Sequence, residues 1–342
     1  MSEFIQYLTE EYGAQYKNKR AGEDHVADVI QYASISQSLI NNLDKAKANN
    51  IKYVILGVPE DIGPRANCGN GGAHLGWNNF LSVFLNQQSN QCFDWGQCLM
   101  LGALDVSDLQ QKSYQAQGQS VDVQTLRALC KELDERLQAV SEEIFTRGFE
   151  LILIGGGHNN AYPLISALSK TTGKKVSCCN LDPHADFRPM EGRHSGNPFR
   201  YAYEEQALGQ YYLIGMHEQK NNRATLDGLQ QANFPSTSFQ SIFMRQEITF
   251  EQTLVYADNY LRPTENPVGI ELDLDAIKNA GASAYSVCGF SVEQAIRYIY
   301  KLSSLDGVRY VHLCEGAPIG GGNDTGQQLT QLVYAYLSAR QK

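Results

Sequence analysis

No apolar run in the 342-residue chain approaches the roughly 18 residues needed to cross a bilayer. The opening residues, MSEFIQYLTEEYG, lack a basic stretch followed by an apolar one, so a cytoplasmic location is expected rather than secretion. Basic residues are in deficit, with 28 Lys and Arg against 37 Asp and Glu and a formal net charge of −9. A protein that binds nucleic acid by neutralising phosphates needs a basic excess or stripe, and neither is present. The eight cysteines include no C-x-x-C pair and are spread from Cys68 to Cys314. That reads as free, mostly buried thiols, not as a disulfide framework. Neither G-x-G-x-x-G nor a P-loop lysine occurs, so the turn Gly320–Asp324 is read as the entry to the last helix, with Asp324 or Thr325 as its cap. No linker rich in Pro, Gly or Ser interrupts the chain, and one domain over 1–342 is the expectation.

Hydrophobic residues make up 42% and charged residues 19%, enough to build a large core and to exclude global disorder. From about residue 50 onward, short apolar runs alternate with amphipathic stretches. The runs at 53–58, 150–155, 175–182, 211–216, 268–275 and 308–315 are short, continuous and apolar, as strands buried on both faces are. Helical periodicity fills 125–145, 161–170, 291–304 and 325–341. This order predicts an α/β fold of three layers, a mostly parallel central sheet between helices. Residues 1–50 are expected to form a helical extension without a strand, and 51–342 the α/β core.

In open parallel sheets, ligands bind beyond the carboxyl ends of the strands. Four such ends carry chemistry here: Gly156-Gly157-His158, Asp182-Pro183-His184-Ala185-Asp186, Asp273-Leu274-Asp275, and Glu315. Side chains at i and i+2 of an extended segment share a face, so Asp273 and Asp275 point together, as Asp182, His184 and Asp186 do where that segment is extended. Four clustered aspartates repel one another and cannot all stay ionised in a poorly solvated site. Two divalent cations balance them; otherwise several must be protonated. The donors are oxygen and imidazole without thiolate, which favours Mn²⁺ over a structural Zn²⁺ site, with Fe, Co or Ni as other occupants.

These residues resemble the ureohydrolases, the family of arginase, agmatinase and formimidoylglutamase, over roughly residues 50–340. The resemblance implies an arginase-like α/β/α fold and two Mn²⁺ per chain. It implies His158, Asp182, Asp186 and Asp273 as ligands of one metal, and Asp182, His184, Asp273 and Asp275 as ligands of the other. The segment 57–76 is similar to the family's first active-site loop. Arg188 and the run Ser195-Gly196-Asn197-Pro198-Phe199-Arg200 are similar to the formimidoylglutamase branch, where arginases carry Asn and a proton-shuttling His. Pro183, Asn159 and Gly316-Ala317 depart from the usual family residues.

What the resemblance implies is hydrolysis of a C–N bond in a linear amidine, N-formimidoyl-L-glutamate to L-glutamate and formamide. Asp275 would relay the proton and Glu315 would hold the amidinium. A protein of net −9 repels a dianion unless its pocket is locally cationic. Arg188 and Arg200 are the candidate carboxylate partners, with Ser195 and Asn197 as polar contacts, while Arg193 and His194 read as solvated loop residues. The expected partner is a small molecule, not nucleic acid or membrane, and the family resemblance implies a homo-oligomer, a trimer or hexamer. Two other readings stay open: another guanidino or amidino substrate, and a metal-binding member of the family without hydrolase activity.

Overall fold

Parallel strands with helical crossovers organise the molecule. The computed structural model describes residues 4–18, 20–115 and 122–341. Ten strands form one sheet: β1 (Ile5–Tyr7), β2 (Gln31–Tyr32), β3 (Tyr53–Gly57), β4 (Cys98–Leu104), β5 (Glu150–Ile154), β6 (Val176–Leu181), β7 (Leu208–Met216), β8 (Ser236–Ser238), β9 (Val268–Asp273) and β10 (Val308–Cys314). Their order is β1-β4-β3-β5-β10-β9-β6-β7-β8, with β2 also on β4. Every pair is parallel except β1 on β4.

Apolar side chains of the strands alternate between two cores, one on each face. One holds Ile55, Ile152, Ile270 and Leu272 under the helices Gly76–Phe84, Val292–Leu302 and Asp324–Arg340. The other holds Val54, Leu151, Leu153 and Leu213 under Val123–Thr146 and Ala161–Thr172. The helices start where local chemistry places them. Asp122 accepts from the N–H groups of Gln124 and Thr125, and the stripe Leu126, Leu133, Leu137, Val140 and Ile144 faces the sheet. Ser291 and Gln294 form a capping box ahead of the buried Ala295, Tyr298, Ile299 and Leu302.

The six expected strands and four expected helices are present, with ends shifted by up to three residues. The N-terminal segment differs from expectation. Besides three helices it contributes β1 and β2, which take the outer edge of β4 at Gly102–Leu104 and Leu99–Met100. Strands of two or three residues carry no readable period, and pairing with a buried neighbour defines them. The last helix begins at Asp324, capped by Asn323 without a side-chain bond, while the Thr325 hydroxyl donates to the Gly281 carbonyl. No helix among the described residues is long and apolar enough to cross a membrane.

The topology places β5, β10, β9 and β6 side by side at the centre. Their carboxyl ends are the four that carry His158, Glu315, Asp273 with Asp275, and the Asp182–Asp186 run.

Candidate metal centre

The turn after β5 puts Gly155 and Gly156 at φ of +83° and +72°, where a side chain is strained. A Cβ on Gly156 would stand 2.8 Å from Glu60 Oε1 and 2.3 Å from Asn160 Nδ2. The buried Glu60 carboxylate fixes this turn, accepting from the N–H groups of Gly157 (2.6 Å) and Gly63 (3.1 Å) and from Asn160 Nδ2 (3.1 Å). His158 is thereby held fully buried with Nδ1 2.9 Å from Asp186 Oδ2, 3.0 Å from Asp182 Oδ2 and 3.5 Å from Asp273 Oδ2. The angles give Nδ1 no hydrogen bond to any of them.

Asp182, Asp273 and Asp275 each commit one carboxylate oxygen to backbone, and Asp182 Oδ2 also accepts from Asn180 Nδ2 at 3.1 Å. Asp182 Oδ1 accepts from the His184 N–H at 2.7 Å, Asp273 Oδ1 from the Asp275 N–H at 2.7 Å, and Asp275 Oδ1 from the Ala284 N–H at 2.9 Å. Two overlapping donor groups result. His158, Asp182, Asp186 and Asp273 have ligand atoms within 4.8 Å of one another, and so do His184, Asp273 and Asp275. An unpartnered buried imidazole nitrogen among carboxylate oxygens, with Asp273 common to both groups, fits two divalent cations with a shared bridge.

The electrostatics agree. Burial, then the neighbouring Asp275 and Asp182, push Asp273 well above the ordinary carboxylate range. Burial pushes Asp275 up to about 6. Asp186 is raised by burial and by Asp182. Asp182 goes the other way: burial works against its charge, but His158 and His184 outweigh it. The protein alone therefore cannot hold all four as anions. A third cluster, His158, His312 and Cys314, lies on the far side of the His158 ring. Burial pushes the Cys314 thiol far above its usual range, so in the metal-free protein it is neutral.

Behind the imidazole is a buried network that the sequence reading missed. Glu271 Oε2 is 3.5 Å from His158 Nε2 and accepts from His312 Nδ1 at 2.7 Å, while Oε1 accepts from the Tyr310 hydroxyl at 2.6 Å. Glu271 precedes Asp273 by two residues, so the i, i+2 pattern that marks the ligands also marked it. Phe199 closes the other side, edge-on to His158 at 5.3 Å and stacked on Tyr211 at 4.3 Å.

A cavity of about 240 Å³ opens above these donor groups, lined among others by His184, Asp186, Asp273, Asp275 and Glu315. Glu315, at φ +59°, accepts from the His158 N–H at 2.8 Å through Oε1, and among the described residues its buried Oε2 has no hydrogen-bond partner. Burial, then Asp273 and Asp275, raise its pKa well above the usual range.

Of the four residues expected to contact substrate, Arg188 and Ser195 line this cavity. Asn197 and Arg200 do not. The Asn197 amide is used within its loop, donating to the Gly192 carbonyl at 2.8 Å and accepting from Arg193 at 2.6 Å. Arg200 falls on the helix Pro198–Glu204, where it pairs with Glu204 at 2.6 Å and lies over Phe187. Arg193 and His194 are not solvated loop residues. Both are buried, and Arg193 forms an ion pair with Asp134 at 2.8 Å. Asn67 and Asn70, from the segment 57–76, also line the cavity, as do Lys220, Asn221, Thr225 and Ser283, which carried no motif in the sequence.

Comparison with known proteins gives the same frame. The chain is similar to the formimidoylglutamase of Rhodococcus opacus, 36% identical over 101 residues, or 27% of this chain and 32% of that protein. It is similar to the formimidoylglutamase of Geobacillus kaustophilus, 26% identical over 208 residues, or 55% and 61%. These alignments span less than two thirds of each relative. In three dimensions it is similar to Trypanosoma cruzi formiminoglutamase with Mn²⁺, with a TM-score of 0.72 at 17% identity, covering 93% of this chain and 98% of that one. The formimidoylglutamase of Bacillus subtilis gives 0.71 at 14%, covering 95% and 94%. At these identities the structural likeness establishes the arginase-type fold. The arginase family model matches residues 51–338, and the chain belongs to the arginase family.

Proposed function

We propose that this protein hydrolyses the C–N bond of a linear amidine, and that the substrate is N-formimidoyl-L-glutamate, released as L-glutamate and formamide. The observation that carries this is Glu315: a buried carboxylate with one oxygen free of hydrogen bonds, facing the same cavity as the paired ligand groups. A planar amidinium supplies the N–H donors and the positive charge that such an oxygen lacks. The names of the relatives support the same reaction.

Two Mn²⁺ ions, one with His158, Asp182, Asp186 and Asp273 and the other with Asp182, His184, Asp273 and Asp275, would supply water acidified enough to act as nucleophile near neutral pH. The chain's own residues do the rest. Glu315 Oε2 orients the amidinium and offsets its charge. Asp275 takes a proton from the attacking water and hands it to the departing amine, since Phe199 offers no shuttle. The Phe199 ring excludes bulk solvent from the His158 side. Arg188 holds a carboxylate of the substrate and disfavours a cationic tail such as that of agmatine. All eight cysteines are free thiols, which supports a cytoplasmic setting.

The test is metal dependence. Protein stripped with chelator and titrated with Mn²⁺ should release formamide from N-formimidoyl-L-glutamate in proportion to metal bound, saturating at two ions per chain. Full activity in the stripped protein would overturn the reading.

A further inference from the structure

We propose that Lys220, at the mouth of the cavity, binds the second carboxylate of a dicarboxylate substrate. The inference rests on the amidine-hydrolase reading above and adds the residue that selects for two negative charges. Two Lys or Arg side chains line the cavity, Arg188 and Lys220. Arg188 already shares its guanidinium with Glu191 at 3.0 Å. Lys220 has no acidic partner: among the described residues no carboxylate lies within 4.0 Å of its ammonium and no side-chain hydrogen bond reaches it. Arg200, the other cation the sequence offered, is turned away to Glu204.

The position of Lys220 is fixed relative to the reacting end. Its N–H donates to the His217 carbonyl at 3.0 Å, and the His217 N–H donates to the Pro183 carbonyl at 2.9 Å. The next residue, Asn221, donates to both of those carbonyls, at 2.9 and 3.1 Å, and accepts from the Ala185 N–H at 2.8 Å. The turn that carries Lys220 is thus tied by three hydrogen bonds to the 182–186 run, so it does not drift like a free surface loop. Lys220 lines both the cavity and the more open recess outside it, as do Asn70, His184, Ser283 and Ala284. That places its ammonium where the far end of a bound substrate leaves the cavity.

Charge balance points to the same residue. Four aspartates are offset by two divalent cations, and Glu315 by the amidinium. A substrate with one carboxylate needs only Arg188. A substrate with two leaves one carboxylate without a cation at the mouth of the cavity, unless Lys220 meets it.

The test uses the Mn²⁺-loaded full-length protein and glutarate, a dicarboxylate without the reacting group. Calorimetry should show that glutarate binds the wild type, that Lys220→Gln weakens it about five- to tenfold, and that Lys220→Arg keeps most of the affinity. In turnover, Lys220→Gln should raise KM for N-formimidoyl-L-glutamate by a similar factor with kcat nearly unchanged. Its effect should vanish on one of two analogues that each lack one carboxylate. Glutarate binding that is absent, or insensitive to Lys220→Gln, would overturn the proposal, as would equal losses on the dianion and both monoanions. A wild type that turns over no amidine yet binds glutarate through Lys220 would refute the reaction and leave the dicarboxylate site standing.

Discussion

Replacing Arg188 by alanine removes a guanidinium from the cavity wall and releases Glu191, whose Oε1 stands 3.0 Å from Arg188 Nη2. Exposure sets the size of the effect. The Arg188 side chain is 41% exposed, so its pairing with a substrate carboxylate acts partly through water. A hydrogen bond to a charged group contributes about 1.5–3 kcal/mol, and solvent screening at such a site reduces this to about 1–2 kcal/mol. At about 1.4 kcal/mol per decade, kcat/KM for N-formimidoyl-L-glutamate should fall about 5- to 30-fold. KM should carry the loss, because the guanidinium holds a part of the substrate that does not react. Glu191→Ala should act in the opposite direction, since it frees Arg188 from an internal competitor and lowers KM. The assay is steady-state formamide release with bound Mn²⁺ counted in each variant. An equal loss on an amidine without carboxylates, a rise in KM in Glu191→Ala, or loss of metal in Arg188→Ala would refute the reasoning.

Asp273→Ala removes the side chain common to both donor groups, and metal analysis should find fewer than two ions per chain, with no turnover. Glu271→Gln should weaken Mn²⁺ binding about 10- to 100-fold, measured by calorimetry, because the carboxylate that faces His158 Nε2 sets the ring's orientation and basicity; unchanged affinity would make the network purely structural. In the metal-free protein the carboxyls of Asp273, Asp275 and Glu315 are raised, Asp275 to about 6, so the folded state keeps protons that the unfolded chain has released above about pH 4. The stability from these groups is fully present below about pH 4 and lost as pH rises through their folded values, about 6 for Asp275 and higher for Asp273 and Glu315. The gain in Tm on adding Mn²⁺ should therefore be larger at pH 7.5 than at pH 5, and a larger gain at pH 5 would contradict the charge argument. Arg193→Ala leaves Asp134 buried without its partner and should cost about 3–5 kcal/mol of stability, read by denaturant unfolding.

Much of the metal centre was legible because strand ends impose a simple geometry. D-x-D and D-x-H-x-D stand where the backbone leaves the sheet, through a 3-10 turn at Leu274–Ala276 and through Asp186 at φ +47°, and the central position of β5, β10, β9 and β6 brings three such ends and Glu315 together. The cavity wall was less legible, because it depends on where a helix starts. Pro198 opens a helix that turns Arg200 toward Glu204, and Asn197 becomes the residue that closes the loop on itself. Lys220 had no motif, since its place comes from the tie between Asn221 and the 183–185 backbone across 36 residues of sequence or more. The strand β4, CLMLGAL, is apolar at nearly every position, and its role as anchor for β1 and β2 emerged only from pairing. Arg193 read as a loop cation because its partner, Asp134, lies 59 residues earlier on a long helix.

The most direct measurement is a comparison of products from one preparation of Mn²⁺-loaded protein offered N-formimidoyl-L-glutamate, L-arginine and agmatine in turn. Formamide and L-glutamate should form in equal amounts from the first, and urea from the other two should be slower by at least the factor that Arg188 contributes. Faster release of urea from arginine or agmatine would contradict the assignment of substrate and the roles given to Arg188 and Lys220.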